Sequence, residues 1–345
     1  MIQFQCDYNE GAHPSILKRL TETNLEQTVG YSEDSYCEHA RQLIREACQM
    51  PEAAVHFLVG GTQTNTTVIA HVLRPHQGVL AADTGHINVH ETGAIEHTGH
   101  KVLALPSEEG KITARQVADT IEAHRKDDSF EHMVQPGMVY ISFPTEVGTL
   151  YSRQELEELY HTCQHYSIPL FIDGARLGYG LCSSENDVTL TDLAHFCDMF
   201  YIGGTKVGAL FGEALVITNP RWQTDFRYSL KQHGGMLAKG RLLGLQFETL
   251  FTDNLYFDIS RNAIRQAMRI KETLRNLSYP FFMESYTNQQ FPIFPDEVLE
   301  QLNQDFLFTF WQKTDEHHTA VRICTSWATT DENTDRLIAA LQKIK

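Results

Sequence analysis

Seven short apolar runs, most of them ending in Gly, Pro or Asp, constrain this chain more than any other feature. They are "AVHFLVGG" (54–61), "GVLAAD" (78–83), "KVLALP" (101–106), "MVYISFP" (138–144), "IPLFID" (168–173), "MFYIGG" (199–204) and "ALVITN" (214–219). Between most of them lie segments with a 3.6-residue apolar period: "TARQVADTIEAHR" (113–125), "SRQELEELYHTCQHY" (152–166) and "TLTDLAHFC" (189–197). Continuous apolar strands alternating with amphipathic helices predict an α/β fold: a mainly parallel sheet covered by helices on both faces. In such sheets ligands bind beyond the carboxyl ends of the strands. Ser152 and Glu155 have capping-box spacing, and the loop before them, "FPTEVGTLYS" (143–152), follows a strand end where a site would be built.

Past residue 235 the texture changes. "AKGRLLGLQFETLF" and "ISRNAIRQAMRIKETLRNL" read as long helices. "PFFMES", "DFLFTFWQK" and "AVRICTSW" read as strands, and "DENTDRLIAALQKI" (331–344) as a closing helix. The sequence therefore predicts a large domain over 1–240, with segment 1–25 free to pack elsewhere, and a smaller α+β domain over 241–345. A chain of 345 residues, 42% hydrophobic and 21% charged, buries a core of that size.

A net charge of −16 disfavours nucleic-acid and anionic-membrane partners, since nothing offsets phosphate repulsion. No run approaches ~18 uninterrupted apolar residues, so no transmembrane helix is predicted. "MIQFQCDYNE" has neither a basic start nor an apolar core and does not read as a signal peptide. Seven cysteines without CxxC spacing read as reduced cytoplasmic thiols.

Chemistry concentrates in two motifs. "FIDGARLG" (171–178) ends a strand in Asp173, and "FYIGGTKVGALFGEALVI" (200–217) places Lys206 among glycines 33 residues later. A strand-end Asp is by itself often a helix cap, and a lone lysine is often surface charge. On neighbouring strand ends the two suit pyridoxal 5'-phosphate: the lysine forms a Schiff base, and the aspartate keeps the pyridine nitrogen protonated. "VGGTQTN" (59–65) offers the phosphate a strand-to-helix turn at Gly61 and Thr62. His86 opens the segment after a strand and could lie on the cofactor ring. His90 follows at i+4, but without HExxH spacing, and among 17 histidines a chance pair is expected; no metal site is read here. Arg176 and Arg322 are candidates for gripping a substrate carboxylate.

"VGYSEDSYCEHARQLI" (29–44), "GGTQTN" (60–65), "FPTEVGTLYS", "FIDGARLG", "GGTKVGALFG" (203–212) and "VRICTSW" (321–327) occur in that order. Together they resemble the threonine aldolase and aromatic amino-acid β-eliminating lyase family, pyridoxal-phosphate enzymes of fold type I. The resemblance spans nearly the whole chain. It implies that Lys206 is the Schiff-base lysine, Asp173 the pyridine-nitrogen partner, Arg176 a cofactor-side arginine, Gly61 and Thr62 the phosphate turn, His86 the stacking histidine and Arg322 the carboxylate grip. It further implies a second active-site histidine at His132, and a lysine at Lys231 that reaches a neighbouring subunit's phosphate. The chain departs from the family at Cys6–Asp7, where Ser-Asp is usual. It departs again at "HGGMLAKG" (233–240), where Leu237 replaces an arginine, and at "SFPTE". Cys6 and His13 are carried as substrate-pocket candidates. The implied function is retro-aldol cleavage of a β-hydroxy-α-amino acid, threonine- or phenylserine-like, to glycine and an aldehyde, with His86 or His132 as base. The alternative is a β-eliminating lyase or aminotransferase on the same scaffold. The expected assembly is a homodimer or homotetramer acting on a small-molecule amino-acid substrate in the cytoplasm.

Overall fold

The computed structural model describes residues 1–344; Lys345, the last residue of the predicted smaller domain, lies outside them. The chain opens with a two-residue strand, β1 (Ile2–Gln3). Seven strands then build the central sheet: β2 (Ala54–Leu58), β3 (Gln77–Ala82), β4 (Val102–Leu105), β5 (Gln135–Ser142), β6 (Leu170–Asp173), β7 (Met199–Gly203) and β8 (Glu213–Ile217). Their order is β2-β8-β7-β6-β5-β3-β4. Only β8 runs against its two neighbours. All seven predicted strands form, and the fold class is the one expected.

Period-two alternation builds two cores from the same strands. In β6, Leu170 and Ile172 enter one core and Phe171 the other. In β7, Phe200 and Ile202 oppose Met199 and Tyr201. Helices Ser35–Cys48, Ala114–Lys126, Arg153–Tyr166 and Arg241–Phe251 cover the first face through residues such as Ile44, Val117, Leu156 and Phe247. Helices Gly61–Val72 and Phe226–Gln232 cover the second through Val68, Ile69, Phe226 and Leu230.

The carboxyl-terminal part carries β9 (Phe281–Met283), β10 (Gln289–Pro295), β11 (Phe306–Leu307), β12 (Thr309–Lys313) and β13 (His318–Cys324). Four of them form a sheet in the order β12-β13-β10-β9. The run "DFLFTFWQK" divides: β11 leaves to pair in parallel with β1, and only β12 joins β13. Strand β10, absent from the sequence reading, is a central strand despite Pro292 and Pro295. Its pairing with β9 shifts register between Phe291 and Pro292, which accommodates the missing amide donor.

Leu243, Phe247 and Leu250 from helix Arg241–Phe251 belong to the large core, as do Tyr256, Ile259 and Ala263 from the start of helix Leu255–Asn276. Ile270 and Leu274 from the end of that helix belong to the third core, with Phe4, Phe294, Phe306 and Leu337. We therefore propose a domain boundary inside helix Leu255–Asn276 rather than at residue 240.

Candidate active site

Strands β2, β3, β5, β6 and β7 point their carboxyl ends to one rim. The reversed β8 brings its amino end, Glu213, to the same rim, opposite Gly203. A cavity of about 300 Å³ opens there. Gly61, Thr62, His86, Asp173, Arg176 and Lys206 all line it.

Asp173 closes β6 on the face that carries Phe171, the face of Tyr140 on β5 and Tyr201 on β7. Both phenols donate to it, Tyr140 to Oδ2 at 2.6 Å and Tyr201 to Oδ1 at 2.5 Å. The Ala175 amide adds 3.0 Å to Oδ1, and Asn65 Nδ2 3.1 Å to Oδ2. Burial pushes the carboxyl up, but nearby His86 and these donors outweigh it, so Asp173 sits below the usual aspartate range. It is a fixed, buried negative charge. Gly174 is required beside it, because a Cβ there would lie 1.9 Å from the Tyr201 carbonyl oxygen.

Lys206 follows the end of β7. Its amine makes no hydrogen bond and no ion pair within 4 Å among the described residues, and the half-buried side chain lines the cavity. Burial, then the Arg176 guanidinium, lowers its pKa against the opposing pull of Asp7, Asp173 and Glu213. A half-buried amine that lines a cavity and is biased toward its neutral form has the chemistry a nucleophile needs.

Helix Gly61–Val72 begins at Gly60 without a side-chain cap, so its first amides are left for an anion. A Cβ on Gly61 would come 2.9 Å from the Tyr201 hydroxyl, the group that donates to Asp173. Phosphate turn and carboxylate are thus built against each other. His86 is aimed by Glu91, whose Oε1 meets His86 Nδ1 at 2.8 Å. Burial works against the imidazolium, but the Glu91 bond and Asp173 prevail and raise the His86 pKa. Asn65 Nδ2 ties Glu91 (2.8 Å) to Asp173, joining the two acidic supports.

Arg176 is held in a two-pronged pair by Asp7, Nε to Oδ2 at 2.7 Å and Nη2 to Oδ1 at 3.1 Å. Despite burial, the charges of Arg176 and Lys206 hold Asp7 at a pKa of about 2. Arg322, on β13, lines an adjoining cleft of about 780 Å³ that shares Tyr8 with the first cavity. Its Nη1 donates to Gln289 (3.3 Å) and its Nη2 to the Gln5 carbonyl (3.0 Å), while its buried Nε has no partner.

Four candidates stand elsewhere. His132 lies exposed in the turn Phe130–His132 before β5, at the amino end of a strand whose carboxyl end carries the site. The sheet's own length separates it from the cavity, which it does not line. Cys6 bonds Asn9 Oδ1 through Sγ at 2.9 Å, and its neighbour Asp7 is the residue that enters the site. His13 caps helix Pro14–Glu22 through the Ser15 amide and packs on Trp327. The Lys231 amine sits 5.0 Å over the Tyr31 ring, away from this cavity. Conversely, Glu146, Glu213, Tyr201 and Tyr8 line the cavity without having been singled out. Glu213 bonds the Gly204 amide at 3.0 Å, and burial raises its pKa to about 8. The departure at "SFPTE" was the one signal for Glu146; Glu213 looked like an ordinary strand start.

A lysine nucleophile, a buried aspartate, an anion turn and a histidine around one cavity define a pyridoxal-phosphate lyase site on a doubly covered sheet, and the chain belongs to the beta-eliminating lyase family, which matches residues 4–296. Within that family it is similar to threonine aldolases. A solved Leishmania major threonine aldolase is 42% identical, with a TM-score of 0.97 over 100% of this chain and 99% of that one. The low specificity L-threonine aldolase of Pseudomonas aeruginosa is 27% identical over 304 residues, 88% of this chain and 84% of that protein. A histidinol-phosphate aminotransferase from Clostridium acetobutylicum shares the fold alone, at 12% identity and a TM-score of 0.73. The protein is a lyase that depends on pyridoxal 5'-phosphate.

Proposed function

We propose that the protein cleaves β-hydroxy-α-amino acids of the threonine or phenylserine type to glycine and an aldehyde. The observation that carries this reading is whole-length similarity, at 42% identity, to a threonine aldolase, joined to a cavity whose donors fit the cofactor. When bound, pyridoxal phosphate supplies a conjugated sink for the electron pair of the bond that breaks. Lys206, its pKa lowered by burial, would hold the cofactor through its amine. Asp173, held ionised by His86 and two phenols, would be the partner of the cofactor's ring nitrogen. The amides at Gly61 and Thr62 take the phosphate. Arg176, fixed by Asp7, walls the cofactor side. His86, aimed by Glu91, would border the cofactor. Arg322, with its free Nε, takes the substrate carboxylate and so orients the Cα–Cβ bond.

We also read the protein as a homo-oligomer. Leu25 is 92% exposed, and Val29, Tyr31 and Tyr228 lie exposed as well, near enough in sequence and contact to Lys231 and Arg227 to form one face with them. Lys231 would then meet a phosphate in a neighbouring copy. Seven unpaired cysteines support a reducing, cytoplasmic setting. No helix among the described residues is long and apolar enough to cross a membrane.

The deciding experiment incubates the purified protein and cofactor with threonine, phenylserine and serine in both enantiomers. Glycine and aldehyde are expected; pyruvate and ammonia without glycine would replace the aldolase reading by β-elimination. Light scattering that returns a monomer would remove the oligomer.

A further inference from the structure

The loop after β5 turns on itself, with the Thr145 amide on the Thr149 carbonyl (3.0 Å) and the Gly148 amide on that of Thr145 (2.9 Å). The smaller domain grips it from outside. Ser285 Oγ donates to the Gly148 carbonyl at 3.0 Å, and Gln289 Nε2 to that of Glu146 at 3.4 Å. The loop is therefore held at both ends, and Glu146 lines the cavity beside His86.

Its carboxyl is used asymmetrically. Oε1 takes the Ser142 hydroxyl at 2.5 Å and the His86 amide at 2.9 Å. Oε2 takes neither of these bonds, and apart from Glu146's own amide no other donor among the described residues reaches the carboxyl, which belongs to a cavity-lining residue. A carboxylate serving only to hold the His86 turn would need one oxygen, and an amide would do as well.

Resting on the aldolase reading, we propose that Glu146 is a catalytic acid–base residue acting through Oε2 on the substrate's β-oxygen. In cleavage the β-hydroxyl proton passes to the Glu146 carboxylate. The O–H bond breaks, the β-carbon–oxygen bond becomes a carbonyl, and the Cα–Cβ pair stays with the α-carbon. The aldehyde departs, and the carboxyl returns its proton to solvent or, in the synthetic direction, to the new alkoxide. Burial first, opposed by the Ser142 bond and reinforced by Asp173, raises the Glu146 pKa above that of a surface glutamate, which makes its carboxylate the stronger base. The titratable groups that face it are His86, Asp173, Tyr140 and Tyr151.

Glu146→Gln tests this, because its amide oxygen keeps both Oε1 bonds and loses only the titrating group. Threonine cleavage should fall about 10²–10³-fold in kcat/KM. The wild-type rise of rate with pH, as the carboxyl ionises, should flatten in the variant. Exchange of the glycine α-proton with D2O, followed by NMR, involves no β-oxygen and should stay within about twofold, as should the visible absorbance of the bound cofactor. A Gln variant that cleaves at the wild-type rate overturns the assignment, as does one that loses glycine exchange in step with cleavage. Failure of the wild type to cleave any β-hydroxy-α-amino acid overturns the aldolase reading and this assignment together. A cleaving wild type with an unimpaired variant overturns the assignment alone.

Discussion

Lys271 is buried and Lys206 half-buried, and their surroundings are opposite. Lys271, in helix Leu255–Asn276, is spoken for: its amine bonds the Ser285 carbonyl at 2.6 Å, meets Glu284 at 2.8 Å and lies 3.5 Å over the Tyr286 ring. Lys206 has no such partner and looks into a cavity. Burying a cation without a partner is costly. The chain satisfies that demand at Lys271, where the amine staples the smaller domain together, and leaves it standing at Lys206. Burial alone thus does not single out a candidate lysine; an unsatisfied amine on a cavity wall does.

The sharpest way to break the contrast is to exchange the outcomes. Lys206→Ala should cut turnover by at least about a thousandfold and abolish the visible band of the bound cofactor, while the melting temperature of the cofactor-free protein holds or rises. Lys271→Met should do the reverse, costing about 2 kcal/mol in urea unfolding with turnover per folded molecule intact. If Lys206→Ala destabilises more than Lys271→Met, the contrast is wrong. Asp173→Ala, which removes the charge facing Lys206, should lower kcat by about 10²–10³-fold; an effect confined to KM would remove it from the reaction.

Smaller effects sharpen the comparison through pH. The folded pKa of Asp7 is about 2, against an ordinary 3.8. Its pair with Arg176 therefore contributes stability in full above the unfolded value, and that stability is lost as pH falls from 3.8 through about 2. Asp7→Asn should be less stable than wild type at neutral pH and lose less between those values, as read by acid unfolding. The pKa of Lys206 is lowered as well. The unfolded chain binds its proton more readily, so stability of the cofactor-free protein should rise with pH from the lowered folded value toward 10.5, and Lys206→Met should remove that slope. Smallest of all, His132→Ala should change turnover by no more than about twofold; a larger loss would return His132 to the site.

The central sheet was readable because its strands, apolar on both faces, are local signals bounded by glycines and prolines. Lys206, Asp173, Gly61 and His86 were readable for a related reason: each stands at a strand end, where the fold class itself says a ligand belongs. His132 failed that test, since it precedes its strand rather than following it. Glu146, Glu213, Tyr140 and Tyr201 stayed hidden because their roles depend on which strands become neighbours and on which face they point from, and neither is written locally. Strand β10 hid behind two prolines that a register shift absorbs.

The first residues of the chain are bound to the last third of it. Strand β1 pairs with β11, and Asp7, which holds Arg176, also accepts Asn288 Nδ2 at 2.9 Å. On a ribosome the amino terminus therefore waits for residue 307 before its place exists. Arg176 and Lys206 emerge long before the carboxylate that one of them needs has anything to dock against. A nascent chain therefore cannot finish its catalytic pocket early.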